Sequence, residues 1–341
     1  MTAAAPASER SRRGRARGRG LLDAMSLALL HPSTWPVALA GFLARGGILL
    51  FVLPVVVLPT PTGLATAFGP DIIAVAIAAP TAAVIELAAA AVALLAGWLV
   101  FGSLVGAAAD VALAGWVARA SLVGDAPGPP ASPAGRLVVR VALARLACHL
   151  PLLLAGSWAV ARIVSAVYRE YISPGDLAVA LPIRVIRSVP EAIVLLVAAW
   201  LIGEMFGGLA ARGIVLEGRP LAAAIRGSVV STVLHPVSAG ASLAIGTVLV
   251  LVAIVPSIGF AAFAWSALRH ELVAGAGPGA VLVATSAFAA AWLGGLVATA
   301  AATSVRSAIW TWHALRAPAM APFALTAPVA VTVPESPVSD R

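Results

Sequence analysis

Six apolar stretches, at about 35–58, 81–109, 141–164, 189–211, 237–263 and 280–303, constrain this chain more than any other feature. A helix of about 20 apolar residues spans a bilayer core, and in hydrocarbon only a helix or a closed barrel satisfies its own backbone. The chain is 61% hydrophobic and only 11% charged, against about a quarter charged in ordinary soluble domains. A soluble chain of 341 residues cannot hide that much apolar surface. The expected fold is therefore an all-α polytopic membrane protein. It has six transmembrane helices arranged as three hairpins, with amphipathic interfacial helices on the cytoplasmic side.

The segments between the spans set the orientation. Residues 1–20 form a basic arm with Arg10, Arg12, Arg13, Arg15, Arg17 and Arg19 and nothing apolar to back it, so it reads as disordered. The six-helix membrane domain then occupies 21–317, and 318–341 is a Pro-rich tail without periodicity. Most arginines lie in the arm, in the crossings after the second and fourth spans, and at the end of the sixth span. The other side carries Arg162, Arg169, Arg184, Arg187 and Arg269. Excess arginine marks the cytoplasmic face, so both termini are expected in the cytoplasm and the protein in a bacterial plasma membrane.

The crossings contain a repeat. Ala118-Arg119-Ala120-Ser121-Leu122-Val123-Gly124-Asp125 aligns with Ala211-Arg212-Gly213-Ile214-Val215-Leu216-Glu217-Gly218, and Arg140 and His149 follow at the spacing of Arg226 and His235. A degenerate copy ends in Leu30-His31-Pro32, after a helical stretch with Leu21, Leu22, Met25 and Leu29 on one side and Asp23 and Ser26 on the other. Proline suits a first helical turn, so His-Pro reads as a helix-entry signal with the histidine at headgroup level. In the second crossing Leu221, Ile225, Val229 and Val233 form one helical stripe, while Arg219 and Arg226 share another face. Arg136, Arg140, Arg219, Arg226, His149 and His235 are thus candidates to contact anionic lipid headgroups.

Ionisable groups inside spans are costly and mark candidate sites. Here they are Arg45, Glu86, Glu204 and, near an inner end, Asp110. Arg45 and Glu204 lie at similar depth, and the expected contact is an Arg45–Glu204 pair, with Glu86 and Asp110 as competitors. Arg145 reads as a side chain reaching out from the inner end of the third span. Gly102-Ser103-Leu104-Val105-Gly106 and Gly203-Glu204-Met205-Phe206-Gly207 carry the small-xxx-small pattern that allows close helix approach.

No GxSxG, Walker loop, HExxH or GxGxxG occurs. Cys148 is the only cysteine, which excludes an internal disulfide, and no Cys/His cluster has zinc-site spacing. No cofactor, metal or nucleic-acid partner is expected, and no enzyme activity. Ala211-Arg212-Gly213-Ile214-Val215-Leu216-Glu217-Gly218-Arg219-Pro220, followed by Ala224-Ile225-Arg226-Gly227-Ser228, resembles a crossing found in the membrane domain attached to some bacterial glycerophosphodiester phosphodiesterases and in stand-alone relatives. The phosphodiesterase catalytic domain is missing, so the resemblance implies the six-helix hairpin layout and no activity. The sequence therefore reads as a non-catalytic membrane scaffold or accessory factor whose partners are anionic lipids, a membrane protein or a second copy of the chain. The alternative is a transporter or channel for a small solute.

Overall fold

The computed structural model describes residues 21–52, 54–56, 82–121, 134–173, 175, 179 and 181–316. The terminal arm and tail, the loop around Pro59–Gly63 and the insert at 126–133 lie outside these residues. Every regular element among the described residues is helical: α1 (Leu21–Leu30), α2 (Trp35–Phe42), α3 (Ile48–Val52), α4 (Ala82–Ser121), α5 (Ala134–Cys148), α6 (Leu150–Ile172), α7 (Leu181–Ser188), α8 (Pro190–Glu217), α9 (Leu221–Leu234), α10 (Pro236–Val273) and α11 (Pro278–Arg316). Six segments are long and apolar enough to cross a membrane: Pro32–Val52, Ile85–Ala120, Leu150–Glu170, Pro190–Glu217, Pro236–Val273 and Pro278–Arg316. Their large side chains point outward, as with Leu94 at 75% exposed and Phe263 at 75%. Small residues such as Ala107, Ala114, Ala210 and Ala239 fill the helix contacts instead, the pattern of a bundle surrounded by lipid. The chain is thus a multi-pass α-helical membrane protein.

The helices α4, α8 and α11 meet one another near their C-terminal ends, and α2, α5 and α9 pack around that meeting point. The described ends of the chain come together here. Helix α1 lays Ala28 against Val117 of α4 and Val305, Ala308 and Ile309 of α11, and Thr34 shares a 2.8 Å hydroxyl hydrogen bond with Ser304.

Several boundaries differ from the sequence expectation, each for a local reason. The third span does not begin at 141. The helix breaks at His149, where Pro151 starts a new first turn, so Arg145 belongs to the separate helix α5 and points inward. The first span is interrupted: Leu43–Gly47 makes a wider π turn, with Arg45 at φ −81°, ψ 15° and Gly46 at φ 102°. Only glycine adopts that φ without strain, and such bulges concentrate at functional sites. Helix α8 runs on past 211 to Glu217. There Gly218 (φ 69°) closes it, with N–H bonds from Gly218 to the Ile214 carbonyl and from Arg219 to the Gly213 carbonyl. In α9 the face turned to the bundle is Ala224, Ser228, Ser231 and Thr232, while Val233 of the apolar stripe is 70% exposed. The stripe is therefore split: Leu221 and Ile225 pack against the core, while Val229 and Val233 face away from the protein.

The two small-xxx-small patterns work as close contacts. A Cβ on Gly102 would collide with the Ala44 carbonyl oxygen. One on Gly203 would come within 2.7 Å of the His149 ring, and one on Gly207 within 3.1 Å of the Arg145 side chain. These glycines let the irregular turn and α5 approach α4 and α8 closely enough for arginines to reach between them.

Candidate functional site

At the meeting point of α4, α8 and α11 lies a cluster of two carboxylates and four arginines. Asp110 of α4 is its centre. Its Oδ2 accepts from Arg45 Nη2 at 2.5 Å and from Arg145 Nη2 at 2.9 Å, and its Oδ1 accepts from Arg212 Nη1 at 3.3 Å. Glu204 of α8 forms the second half. Its Oε1 accepts from Arg145 Nη1 at 3.3 Å and its Oε2 from Arg306 Nη2 at 2.6 Å. Arg145 therefore bridges the two acids. Asp110 and Glu204 side chains are 7% and 11% exposed, and Arg212 is 1% exposed.

The local folding explains how the arginines get there. The π turn breaks the first span at Arg45, whose Nη2 also donates to the Gly106 carbonyl at 2.5 Å. A Cβ at Gly106 would occupy the space of the Arg45 guanidinium. The helix break after Cys148 ends α5 one turn beyond Arg145, and His149 donates its Nδ1 proton to the Arg145 carbonyl at 2.8 Å. That leaves its Nε2 at 3.4 Å from Glu204 Oε1, where it donates only when the ring is protonated. Arg212 Nη2 donates to Ser307 Oγ at 2.9 Å, which ties α8 to α11. The Arg306 guanidinium also lies 6.0 Å from the Trp200 ring centre.

The expected Arg45–Glu204 pair does not form. Arg45 pairs with Asp110, and Glu204 pairs with Arg145 and Arg306. Depth along the axis was similar, but Glu204 points to the α5 and α11 side of α8, whereas the irregular turn places Arg45 over α4. Glu86 stands apart: it is exposed near the start of α4. The headgroup candidates divide. Arg136, Arg140, Arg226 and His235 are exposed, and Arg219 folds back onto Glu217. His149 is drawn into the cluster. The two copies of the repeat therefore differ in use, since Arg119 is exposed where Arg212 is buried.

Sequence reasoning missed Arg145, Arg212 and Arg306 as site residues. The available signal was the count of arginines near one depth: Arg212 and Arg306 at the ends of their spans look like ordinary orientation signals. Only their shared facing reveals the cluster.

A cavity of about 60 Å³ opens beside these groups, lined among others by Arg45, Asp110, Arg145, Glu204, Arg212 and Ser307. At roughly 10–15 Å³ per water centre it holds a few waters or a small polar group. A second cavity of about 190 Å³ shares Arg45 and Arg145 and is otherwise lined mainly by Trp98, Leu99, Leu146, Leu152, Leu153 and Trp200. Among the described residues no group of three or more His, Cys, Asp or Glu is placed to hold a metal ion. Each carboxylate here is already engaged by guanidinium groups. Comparison with protein-family models, with curated proteins and with solved structures finds no match.

Proposed function

We propose that this protein is a non-catalytic membrane accessory factor that gathers anionic lipid headgroups at the end of the bundle where Leu21 and Arg316, the ends of the described residues, lie. In this reading that end faces the cytoplasm of a bacterial cell. The observation that carries the reading is the charge difference between the two ends. Among the described residues the end that carries Leu21 and Arg316 presents Arg119, Arg136, Arg140, Arg219, Arg226 and Arg316 against Asp23 and Glu217, outside the cluster. Among the described residues the opposite end has Arg162, Arg169, Arg184, Arg187 and Arg269 against Glu86, Glu170, Glu191 and Glu271, and it pairs Arg162 with Glu191 and Arg184 with Glu170. One end is thus a basic rim and the other is close to neutral. A basic residue near an anionic membrane surface contributes about 1 kcal/mol, within a Debye length.

The test is lipid selection by the intact protein. In nanodiscs of mixed phosphatidylglycerol and phosphatidylcholine, the lipids that remain after detergent extraction should be enriched in phosphatidylglycerol, and salt should reduce the enrichment. The triple change Arg136→Gln/Arg140→Gln/Arg226→Gln should bring retention close to the bulk ratio. Unchanged enrichment in the triple variant would overturn the reading.

Transport of a small anion is the second reading, and one observation favours it: the first span is broken beside a polar cavity. Interrupted helices lining a cavity are the usual site of substrate contact in transporters. Phosphate or chloride flux into proteoliposomes that disappears in Arg45→Gln would replace the scaffold reading with this one.

A further inference from the structure

We propose that the cavity between α2, α4, α8 and α11 is a binding site for a phosphate group, carried by an anionic phospholipid whose acyl chain occupies the adjoining apolar cavity. This goes beyond the basic rim, because it concerns a different set of arginines, of which Arg145 and Arg212 are buried, and a single bound molecule.

The first support is charge. Arg45, Arg145, Arg212 and Arg306 bring four positive charges, and Asp110 and Glu204 return two, so these six side chains keep two positive charges. No further carboxylate contacts it among the described residues. Buried or membrane-embedded charge without a partner is strongly disfavoured, so a cluster with this excess is set up for an anion. The second support is an unspent donor. Arg212 lines the cavity, is 1% exposed, and its Nε finds no hydrogen-bond partner among the described residues. The third is chemistry. Guanidinium is a planar fork of donors that matches the oxygens of phosphate two at a time, and it is the side chain of choice where a phosphate is bound away from water.

The adjoining cavity identifies the carrier. Arg45 and Arg145 belong to both walls. On their far side the lining turns to Leu99, Leu146, Leu152, Leu153, Trp98 and Trp200. Of these, Leu99, Leu153 and Trp98 are also substantially exposed on the outer surface of the bundle. A phosphate held by the arginines would therefore have an apolar channel beside it that leads toward lipid. A phosphodiester with a hydrocarbon tail fits both halves. Free inorganic phosphate would use the first half alone.

The test begins with the wild-type protein, purified in a phosphorus-free detergent and phosphate-free buffer and observed by 31P NMR. A phosphodiester resonance at one equivalent per chain is the expected result. No such resonance, but saturable binding of added inorganic phosphate, would assign the same site to the free anion. In either case Arg45→Gln should weaken retention or binding by about ten- to a hundredfold, the range for losing a hydrogen bond to a charged group. Gly106→Ala, which displaces the Arg45 guanidinium without removing any charge, should act in the same direction. Arg269→Gln, on the opposite end, should leave it unchanged. Neither resonance nor phosphate binding in the wild type would overturn the proposal and leave the cavity to water. So would binding that is equal in wild type, Arg45→Gln and Gly106→Ala. The rim reading is tested separately, because the triple rim variant should lose surrounding lipid while it keeps the single bound phosphate.

Discussion

Asp110→Asn probes the cluster most directly. The change keeps the shape of the side chain, so no cavity is made. It removes the charge that three guanidinium groups share: Arg45 at 2.5 Å, Arg145 at 2.9 Å and Arg212 at 3.3 Å. An asparagine would turn its single oxygen toward the two arginines at Oδ2, and its NH2 would then face Arg212, donor against donor. Removing one partner of a buried ion pair costs about 3–5 kcal/mol, because the remaining charge stays buried. Two unit charges about 4 Å apart interact by about 4 kcal/mol at an effective dielectric constant of roughly 20, which gives the same scale. The expected destabilisation is thus about 3–5 kcal/mol. Arg212→Gln, added to Asp110→Asn, removes the facing donor and one of the unpaired charges. The double variant should therefore be more stable than the sum of the singles by about 1–3 kcal/mol. Equilibrium unfolding in mixed micelles, followed by tryptophan fluorescence, measures both quantities, since Trp310 lines the cavity and Trp200 lies beside Arg306. A loss below about 1 kcal/mol for Asp110→Asn, or strict additivity, would refute the view that the cluster acts as one buried network.

Gly102→Ala should destabilise by about 1–3 kcal/mol, the range for overpacking a close contact, because its Cβ would meet the Ala44 carbonyl; the same unfolding assay reads it. Glu191→Gln, which breaks the exposed pair with Arg162, should leave the unfolding midpoint where it is, as expected of a solvent-screened ion pair. Cys148 is buried, and burial pushes its thiol up despite the nearby Arg145. Maleimide should therefore label the folded protein slowly at neutral pH and the unfolded protein quickly, and equal rates would place Cys148 outside the packed cluster. Reporter fusions after Gly63, Gly175 and Gly277 should report the outer side and fusions after Gly128 and Gly218 the cytoplasm. Reversal at any two of these sites would overturn the orientation drawn from the arginines.

The sequence by itself determined that this is an all-helical chain with six membrane-spanning segments. The reason is physical: in hydrocarbon every backbone group must bond within its own helix, so a run of about 20 apolar residues admits one structure and is visible in composition alone. It also determined where a helix starts when the signal is local, as at His235-Pro236. Glu204, Arg45 and Asp110 were legible as unusual because a charge inside a span is costly wherever it points. What they touch was decided only by the tertiary structure. Hydropathy gives a residue's depth along a helix and says nothing about its angle around the axis or which neighbour that angle meets. Arg45 and Glu204 share a depth yet choose different partners, because a π turn at Arg45 and Gly46 rotates one of them toward α4. Arg145 looked like the end of a span until the break at His149 turned it inward, and Arg212 and Arg306 looked like orientation signals until α8 and α11 packed them against one cavity. The cluster exists because helices distant in sequence present matching faces, and that matching is a property of the packed bundle rather than of any one segment.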